Sequence, residues 1–273
     1  MTGTATRWEW RTFGDDFGAV DDAAANLSAT AVQESDEVYF LAAGGENVKV
    51  RDDVLDIKVL RETDGVGLHR WEPILKATFP LSAADVTTAF EALRQPVPAL
   101  ERDGYTLEQF EVELIGPNRA IRAVPVHKRR VRYRVHGLMA EMSEFLVAGR
   151  RVRTIAIETE VPAAVWSAVK AVGLHEHVNL SVPDGLTCLV DGASPRYAVI
   201  DCGTNSIKFH IGELRSDGTW RTVADRAEIT RLGEDLERTG TISSEATRRT
   251  VAAIQGMAEE ARSQHVELSL IHI

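Results

Sequence analysis

The first two thirds of the chain alternate between apolar and charged residues in short runs, a pattern typical of β-strands with one polar face. The pattern predicts strands over 7–13, 37–41, 47–51, 56–60, 110–114, 126–135, 141–146 and 151–158. Helices are predicted over 82–94, where Ser82 is a suitable N-cap, and over 163–172. This part of the chain is therefore predicted to be a mainly antiparallel α+β domain.

Basic residues gather on one face of several of these strands. In 126–135, Lys128, Arg130, Arg132 and Arg134 occupy alternate positions, so their side chains share a face. If such faces converge inside a barrel, like charges repel each other, and a bound anion or interleaved carboxylates relieve the repulsion. The sequence therefore predicts an anion-binding interior. Its cations are Lys49, Arg51, Lys58, Lys128, Arg130, Arg132 and Arg153.

The chain as a whole is acidic, with a formal net charge of −10 over 273 residues. An acidic chain is not a general nucleic-acid binder, so a polyanion site must be a local concentration of basic residues. Two cysteines fit a reducing compartment, and no apolar run reaches membrane-spanning length. We predict a cytoplasmic protein without a membrane or nucleic-acid partner. A homodimer stays open, because the sequence does not give the oligomeric state.

A different pattern begins near residue 197. An apolar run over 198–200 ends at Asp201, small polar residues follow at 203–206, and alternation resumes over 207–211. The amides of such a turn can form a nest for anionic oxygens, and Asp201 can hold a metal ion or orient a water. A plain solvated hairpin turn explains the same residues equally well. The candidate phosphate-binding residues are Gly203, Thr204, Asn205, Ser206 and Lys208.

The string Asp-x-Gly-Thr-Asn-Ser at 201–206 resembles the first phosphate-binding motif of the Ppx/GppA family of exopolyphosphatases and guanosine pentaphosphate phosphohydrolases. The resemblance continues through 220–223, 229–234 and 242–243. It implies an actin-like, ribonuclease-H-like α/β lobe that uses Mg²⁺ or Mn²⁺. It also implies that Asp201 is the catalytic, metal-holding group and that Arg231 contacts phosphate. The implied substrates are inorganic polyphosphate or (p)ppGpp-type nucleotides.

That family has a catalytic glutamate, a second phosphate loop and a second lobe, none of which has a counterpart before residue 273. The resemblance therefore implies a truncated lobe over 196–267, after a linker at 191–195. Because the phosphoryl-transfer site of this superfold lies between two lobes, we expect little hydrolysis by the chain alone.

A second resemblance covers residues 6–191. The runs 48–51, 57–58 and 155–158, with Lys128-x-Arg130, look like the ordered elements of the CYTH domain, a triphosphate-tunnel fold. It implies that Glu9 and Glu158 are metal ligands. That family opens with Glu-x-Glu-x-Lys, whereas this chain has Arg7-x-Glu9-x-Arg11. The lost carboxylate favours a polyphosphate-binding tunnel over an active triphosphatase.

The sequence thus predicts an antiparallel β-barrel over 6–191 followed by a partial α/β lobe over 196–267. The predicted function is that of an exopolyphosphatase-like protein acting on terminal phosphoanhydride bonds. Two alternatives stay open: a CYTH-type inorganic triphosphatase using Glu9, Glu158 and Glu160, and a non-enzymatic polyphosphate-binding module. The run His175-Glu176-His177 has no third ligand nearby and is interpreted as structural or surface-exposed.

Overall fold

The computed structural model describes residues 6–18, 20–21, 28–135, 137–191, 196–214, 220–234, 236–263 and 266–268. The chain divides into two compact units, Met1–Gly192 and Ala193–Ile273. Linker residues 192–195 and the chain end at 269–273 lie outside the described residues. Within the described part of the chain, no helix is both long enough and apolar enough to cross a membrane.

The first unit is built on a closed barrel of eight antiparallel strands, which confirms the predicted fold class. Its strands are β1 Arg7–Gly14, β2 Ala31–Leu41, β3 Asn47–Arg51, β4 Val54–Thr63, β5 His69–Thr78, β6 Leu81–Ser82, β7 Gly104–Tyr105, β8 Arg122–Val135, β9 Leu138–Val147 and β10 Arg150–Thr159. Around the barrel the order is β1-β10-β9-β8-β2-β3-β4-β5, while β6 and β7 form a separate two-stranded sheet.

Most helices cover the outside of the barrel, and the last of them fills one of its ends. They are α1 Ala83–Ala92, α2 Leu107–Gln109, a π-helix Phe110–Ile115, α3 Pro162–Ala171, a 3₁₀ helix Leu174–Glu176 and α4 Val182–Asp191. Phe40 of β2 and Val48 of β3 pack with Phe90 of α1 in one buried cluster, and Ile155 of β10 packs with Val165 of α3 in another. Because the apolar residues of these alternating strands face the helices, their polar residues face the interior.

The interior of the barrel has two layers along the same strands. At one end, Val126 of β8 and Phe145 of β9 pack against Leu186 of α4 in an apolar layer. Two residues further along each strand, Lys128 and Ser143 are buried in a polar layer. The apolar layer fills one end of the barrel, and the charged layer surrounds a cavity at the other.

Two local predictions were wrong for identifiable reasons. The alternating run Phe110–Leu114, predicted as a strand, lies in the π-helix, which continues a helix started by a capping box between Thr106 and Gln109. The predicted turn at 183–185 lies inside α4, where Ser181 Oγ accepts a hydrogen bond from the Asp184 amide at 3.2 Å. Burial of the apolar face of α4 outweighs the turn-forming composition.

The second unit is a four-stranded sheet with a helix on one face, which agrees with the predicted partial α/β lobe. Its elements are β11 Arg196–Cys202, β12 Ser206–Leu214, β13 Trp220–Ile229, α5 Leu236–Thr239, α6 Ser244–Ser263 and β14 Glu267–Leu268. The strand order is β13-β12-β11-β14, and only the pair β11 and β14 is parallel among the described strands. Ile200, Phe209 and Ile211 pack with Met257 of α6.

Candidate functional site

A cavity of ≈ 300 Å³ lies inside the charged layer of the barrel. Eight Lys or Arg side chains and four carboxylates line it. The cations are Arg11, Lys49, Arg51, Lys58, Lys76, Lys128, Arg130 and Arg132, and the acids are Glu9, Asp56, Glu141 and Glu158. With the buried carboxylate of Glu37 behind them, these groups leave a formal excess of three positive charges.

Glu37 is the centre of one half of the charged network and is 1% exposed. Lys49 Nζ donates to its Oε2 at 2.8 Å, and the Tyr39 hydroxyl donates to the same oxygen at 2.7 Å. Arg51 lies 3.5 Å from Oε1. Burial alone would raise the pKa of Glu37, but the charges of Lys49 and Lys128 lower it to about 2. The carboxylate is therefore ionised at neutral pH, and its charge offsets part of the cationic wall.

Glu141 is the centre of the other half. Lys128 Nζ donates to its Oε1 at 2.8 Å, while Arg130 NH1 lies 3.4 Å from Oε2 and Arg11 NH2 3.7 Å from Oε1. Burial opposes ionisation, yet Lys128, Arg11 and Arg130 hold the pKa of Glu141 well below its ordinary value. Because Arg130 also lies 3.9 Å from Glu37, it connects the two halves of the network.

Several cations of the cavity lack a carboxylate partner. In the described parts of the chain, Lys58, Lys76 and Arg132 form no ion pair within 4 Å. The Nε of Arg130 is buried and donates no hydrogen bond to any described residue. A buried donor is normally satisfied, and an anion in the cavity would satisfy the Nε of Arg130. The same anion would pair with the half-buried Lys58 and Arg132 and with the exposed Lys76. The arrangement is therefore suited to a compact, multiply charged anion.

The structure brings together six of the seven cations predicted for the interior and places Arg153 elsewhere. Arg153 is on the outer face of β10, in phase with Ile155, and its guanidinium pairs with Asp21 and stacks on Phe17. The cavity-facing residues of β10 are the alternate ones, such as Glu158. Placing both Arg153 and Glu158 in the interior was inconsistent with strand alternation, because an odd separation puts them on opposite faces.

The two acidic residues predicted as barrel metal ligands are neighbours. Glu9 of β1 and Glu158 of β10 are directly opposed across an antiparallel pair, and both line the cavity. Glu9 accepts a hydrogen bond from Arg11 Nε at 2.9 Å, and Glu158 accepts one from Arg7 NH1 at 2.9 Å. Glu160, the third acid of the triphosphatase alternative, is exposed just beyond the end of β10 and does not line the cavity.

The sequence analysis missed several residues of the cavity wall, among them Tyr39, Asn47 and Lys76, and it also missed Glu37 behind the wall. The signal for Glu37 was present, since alternation over 37–41 puts it on the face of Tyr39 and opposite that of Phe40. Its partnership with Lys49 depends on the register of the β2–β3 hairpin, in which Tyr39 is opposite Lys49 and Glu37 is opposite Arg51. That register is not visible in the pattern of either strand.

In the second unit, the predicted phosphate residues gather at one end of the sheet. Asp201, near the end of β11, is directly opposite Lys208 of β12, and the turn at 203–206 joins the two strands. A second turn at 230–233 is bonded to the first: the amide of Gly233 donates to the Thr204 carbonyl at 2.7 Å, and that of Arg231 to the Asn205 carbonyl at 2.9 Å. This contact holds Arg231 beside the turn.

Arg249 of α6 fixes the second turn to the helix. Its NH2 donates to the Thr230 carbonyl at 3.2 Å and to Glu234 Oε2 at 2.9 Å. Arg231 itself has a positive φ of 48°, which the three backbone bonds between the turns maintain, and its side chain is exposed. The turn at 203–206 is thus hydrogen-bonded to the second turn and through it to α6, with Lys208 and Arg231 as exposed cations.

The charge of Lys128 is expected to make any anion binding in the cavity depend on pH. Burial lowers the pKa of Lys128 to about 8, although the charge of Glu141 opposes the shift. Below pH 8 the amine is protonated, and above it the cavity has one positive charge fewer. We expect the affinity for sulfate, measured by calorimetry, to fall as the pH rises through about 8. Lys128→Arg should remove this step because its guanidinium stays charged, and an identical pH profile in both proteins would contradict the assignment.

Comparison with known proteins gives a sequence similarity over part of the chain. No family model matches the chain. Over 78 residues it is 37% identical to Exopolyphosphatase 2 of Mycobacterium tuberculosis, in both strains compared, and the match covers 28% of this chain and 24% of that protein. This similarity confirms the predicted resemblance to exopolyphosphatases. The chain spans about a quarter of the length of these curated relatives.

Solved structures give partial matches. A Ppx/GppA phosphatase from Aquifex aeolicus is 25% identical over 28% of this chain and 25% of that one, with a TM-score of 0.27. A putative adenylyl cyclase from Hippeastrum, reported to have a dominant triphosphatase activity, is 15% identical over 69% of this chain and 96% of that one, with a TM-score of 0.40.

Proposed function

We propose that this protein is an exopolyphosphatase-like protein whose barrel binds condensed inorganic phosphate. The cation-lined cavity carries the proposal, because its three excess positive charges and the buried, unpartnered Nε of Arg130 favour an anion. A linear triphosphate or polyphosphate segment places several charges within a few ångströms of each other. It therefore suits a site in which cations come from five strands of one barrel.

The proposed hydrolytic part is the phosphate turn of the second unit, supported by the similarity to exopolyphosphatase. The amides and hydroxyls of 203–206, with Lys208, would hold phosphate oxygens, and Arg231 would neutralise charge. One carboxylate beside a phosphate site fits Mg²⁺ or Mn²⁺, which proteins often hold through one or two carboxylates and the substrate. Asp201 would hold this ion and orient a water. The bond cleaved would be the terminal phosphoanhydride of the substrate.

Inorganic polyphosphate is preferred here to (p)ppGpp-type nucleotides, since the cavity wall is mostly charged and offers Trp71 and Tyr39 as its only aromatic side chains among the described residues. A cytoplasmic location, the absence of nucleic-acid partners and a homodimer stay predictions.

The test is a parallel measurement of binding and phosphate release on the same samples, with long-chain polyphosphate and inorganic triphosphate, in Mg²⁺ and in Mn²⁺. We expect salt-sensitive binding of both ligands, and any phosphate release should be lost in Asp201→Asn. Release that persists in Asp201→Asn but is lost in Glu158→Gln would assign the activity to the barrel. Absence of binding under all conditions would refute the proposal.

A further inference from the structure

We propose that the barrel binds its condensed phosphate as the metal-free anion, with guanidinium groups occupying the positions at which carboxylates would otherwise hold a divalent cation. The inference rests on the proposed binding function and specifies its ligand as free triphosphate rather than the magnesium complex. It concerns the barrel alone and leaves the Asp201 site of the second unit unchanged.

The cross-strand pair Glu9 and Glu158 places two carboxylates side by side, so a metal site would be built around this pair. Each carboxylate is already engaged by an arginine of β1: Arg11 Nε is 2.9 Å from Glu9 Oε1, and Arg7 NH1 is 2.9 Å from Glu158 Oε1. Arg11 is 5% exposed and also donates to Thr154 Oγ1 at 3.3 Å, so packing fixes its position. Although burial disfavours its charged form, the carboxylates of Glu9 and Glu141 raise the pKa of Arg11, so the guanidinium is permanently charged.

The deeper carboxylates are engaged as well. Glu141 accepts hydrogen bonds from Lys128 and Ser143 at 2.8 and 2.9 Å, and Glu37 accepts them from Lys49 and Tyr39 at 2.8 and 2.7 Å. Asp56, the remaining acid of the wall, is directly opposite Lys49 on one neighbouring strand and Lys76 on the other. Across the described ranges, no group of three or more His, Cys, Asp or Glu side chains is placed to hold a metal ion.

Electrostatics lead to the same conclusion. A divalent cation entering the cavity would meet a formal excess of three positive charges and would have to displace an arginine from Glu9 or Glu158. A multiply charged anion neutralises that excess and satisfies the buried Nε of Arg130. Arginine donates paired hydrogen bonds to phosphate oxygens and neutralises their charge, a role that a metal ion would otherwise fill. The cavity is therefore complementary to the free anion.

The experiment is calorimetric titration of the 273-residue chain with inorganic triphosphate, in the presence of a chelator and in excess Mg²⁺. The Asp201→Asn background removes the metal site proposed for the second unit. We expect binding in the chelator and an apparent affinity at least about tenfold weaker in Mg²⁺, because Mg²⁺ sequesters the free anion. Tighter binding in Mg²⁺ would overturn the inference while leaving the binding function standing. Absence of binding in both conditions would refute the binding function itself.

A second variant makes the metal readout independent of anion binding. Arg7→Glu with Arg11→Lys places a third carboxylate on the face of Glu9, next to Glu158, and removes both guanidinium partners. We expect this variant to bind Mn²⁺ at least about tenfold more tightly than its parent, by electron paramagnetic resonance of the free ion in the Asp201→Asn background. A parent that binds Mn²⁺ as tightly as the variant would overturn the inference.

Discussion

Replacing Glu37 with glutamine is expected to lower the free energy of unfolding by about 3–5 kcal/mol, because it leaves a buried cluster of cations without its central counter-charge. Lys49 loses its 2.8 Å partner, and Arg51 and Arg130 lose a carboxylate 3.5 and 3.9 Å away. The measurement is equilibrium denaturation by urea, followed by fluorescence and circular dichroism. A loss below about 1 kcal/mol would mean that Glu37 does not hold the cations together.

The matched control is Glu34→Gln on the same strand. Glu34 faces outwards, and its 3.6 Å ion pair with Arg129 is between side chains that are 60% and 51% exposed. The same chemical change at this position is expected to cost no more than about 0.5 kcal/mol. Adding inorganic triphosphate should reduce the deficit of Glu37→Gln, since a bound anion replaces the missing negative charge.

The largest loss of ligand affinity is expected from removing the cations that have no internal partner. Lys58→Met combined with Arg132→Met should weaken triphosphate binding on the order of 100-fold or more, since each charged hydrogen bond contributes about 1.5–3 kcal/mol. Stability without ligand should be unchanged or slightly higher, because the variant lowers the repulsion between cavity cations. The two effects distinguish ligand-binding cations from structural ones.

The control for that variant is Arg129→Met with Arg151→Met. This pair changes the net charge equally but lies on the outer surface of the barrel, where the two side chains are 51% and 71% exposed. It should leave triphosphate affinity within about a factor of three, the residual effect of net charge at moderate ionic strength. Equal losses in both double variants would mean that binding is a general electrostatic effect without a defined site.

Much of the barrel could be predicted because its strands alternate strictly. In β3 the apolar residues face the helices, so Lys49 lies on the opposite, interior face. In β8 the apolar residues form the apolar layer at one end of the strand, and Lys128 and Arg130 lie toward the other end, in the cavity. The fold class followed from this pattern together with the resemblances. The phosphate turn was predicted with its flanking Asp201 because its residue order is distinctive, although its function stays a prediction.

The remainder depended on relations between strands that no single strand reveals. The role of Glu37 required the register of the β2–β3 hairpin, and that of Arg11 required closure of β1 against β10. The outward position of Arg153 is set by α3, which packs on Ile155 and Ile157 and fixes which face of β10 is apolar. The segment Phe110–Ile115 alternates between apolar and polar residues as a strand does, but it follows a helix N-cap. The local hydrogen bonds of that cap decided its structure.

The apolar layer that α4 completes at one end of the barrel determines which part of a long polymer can bind, and therefore which concentration sets saturation. Because described residues fill the other end of the barrel, an extended chain would enter through the mouth at the charged end, so its terminus, and not its middle, would occupy the cavity. Every linear molecule offers the same number of termini whatever its length. Saturation of the protein should therefore follow the molar concentration of polymer molecules and be nearly independent of the total phosphate that they contain.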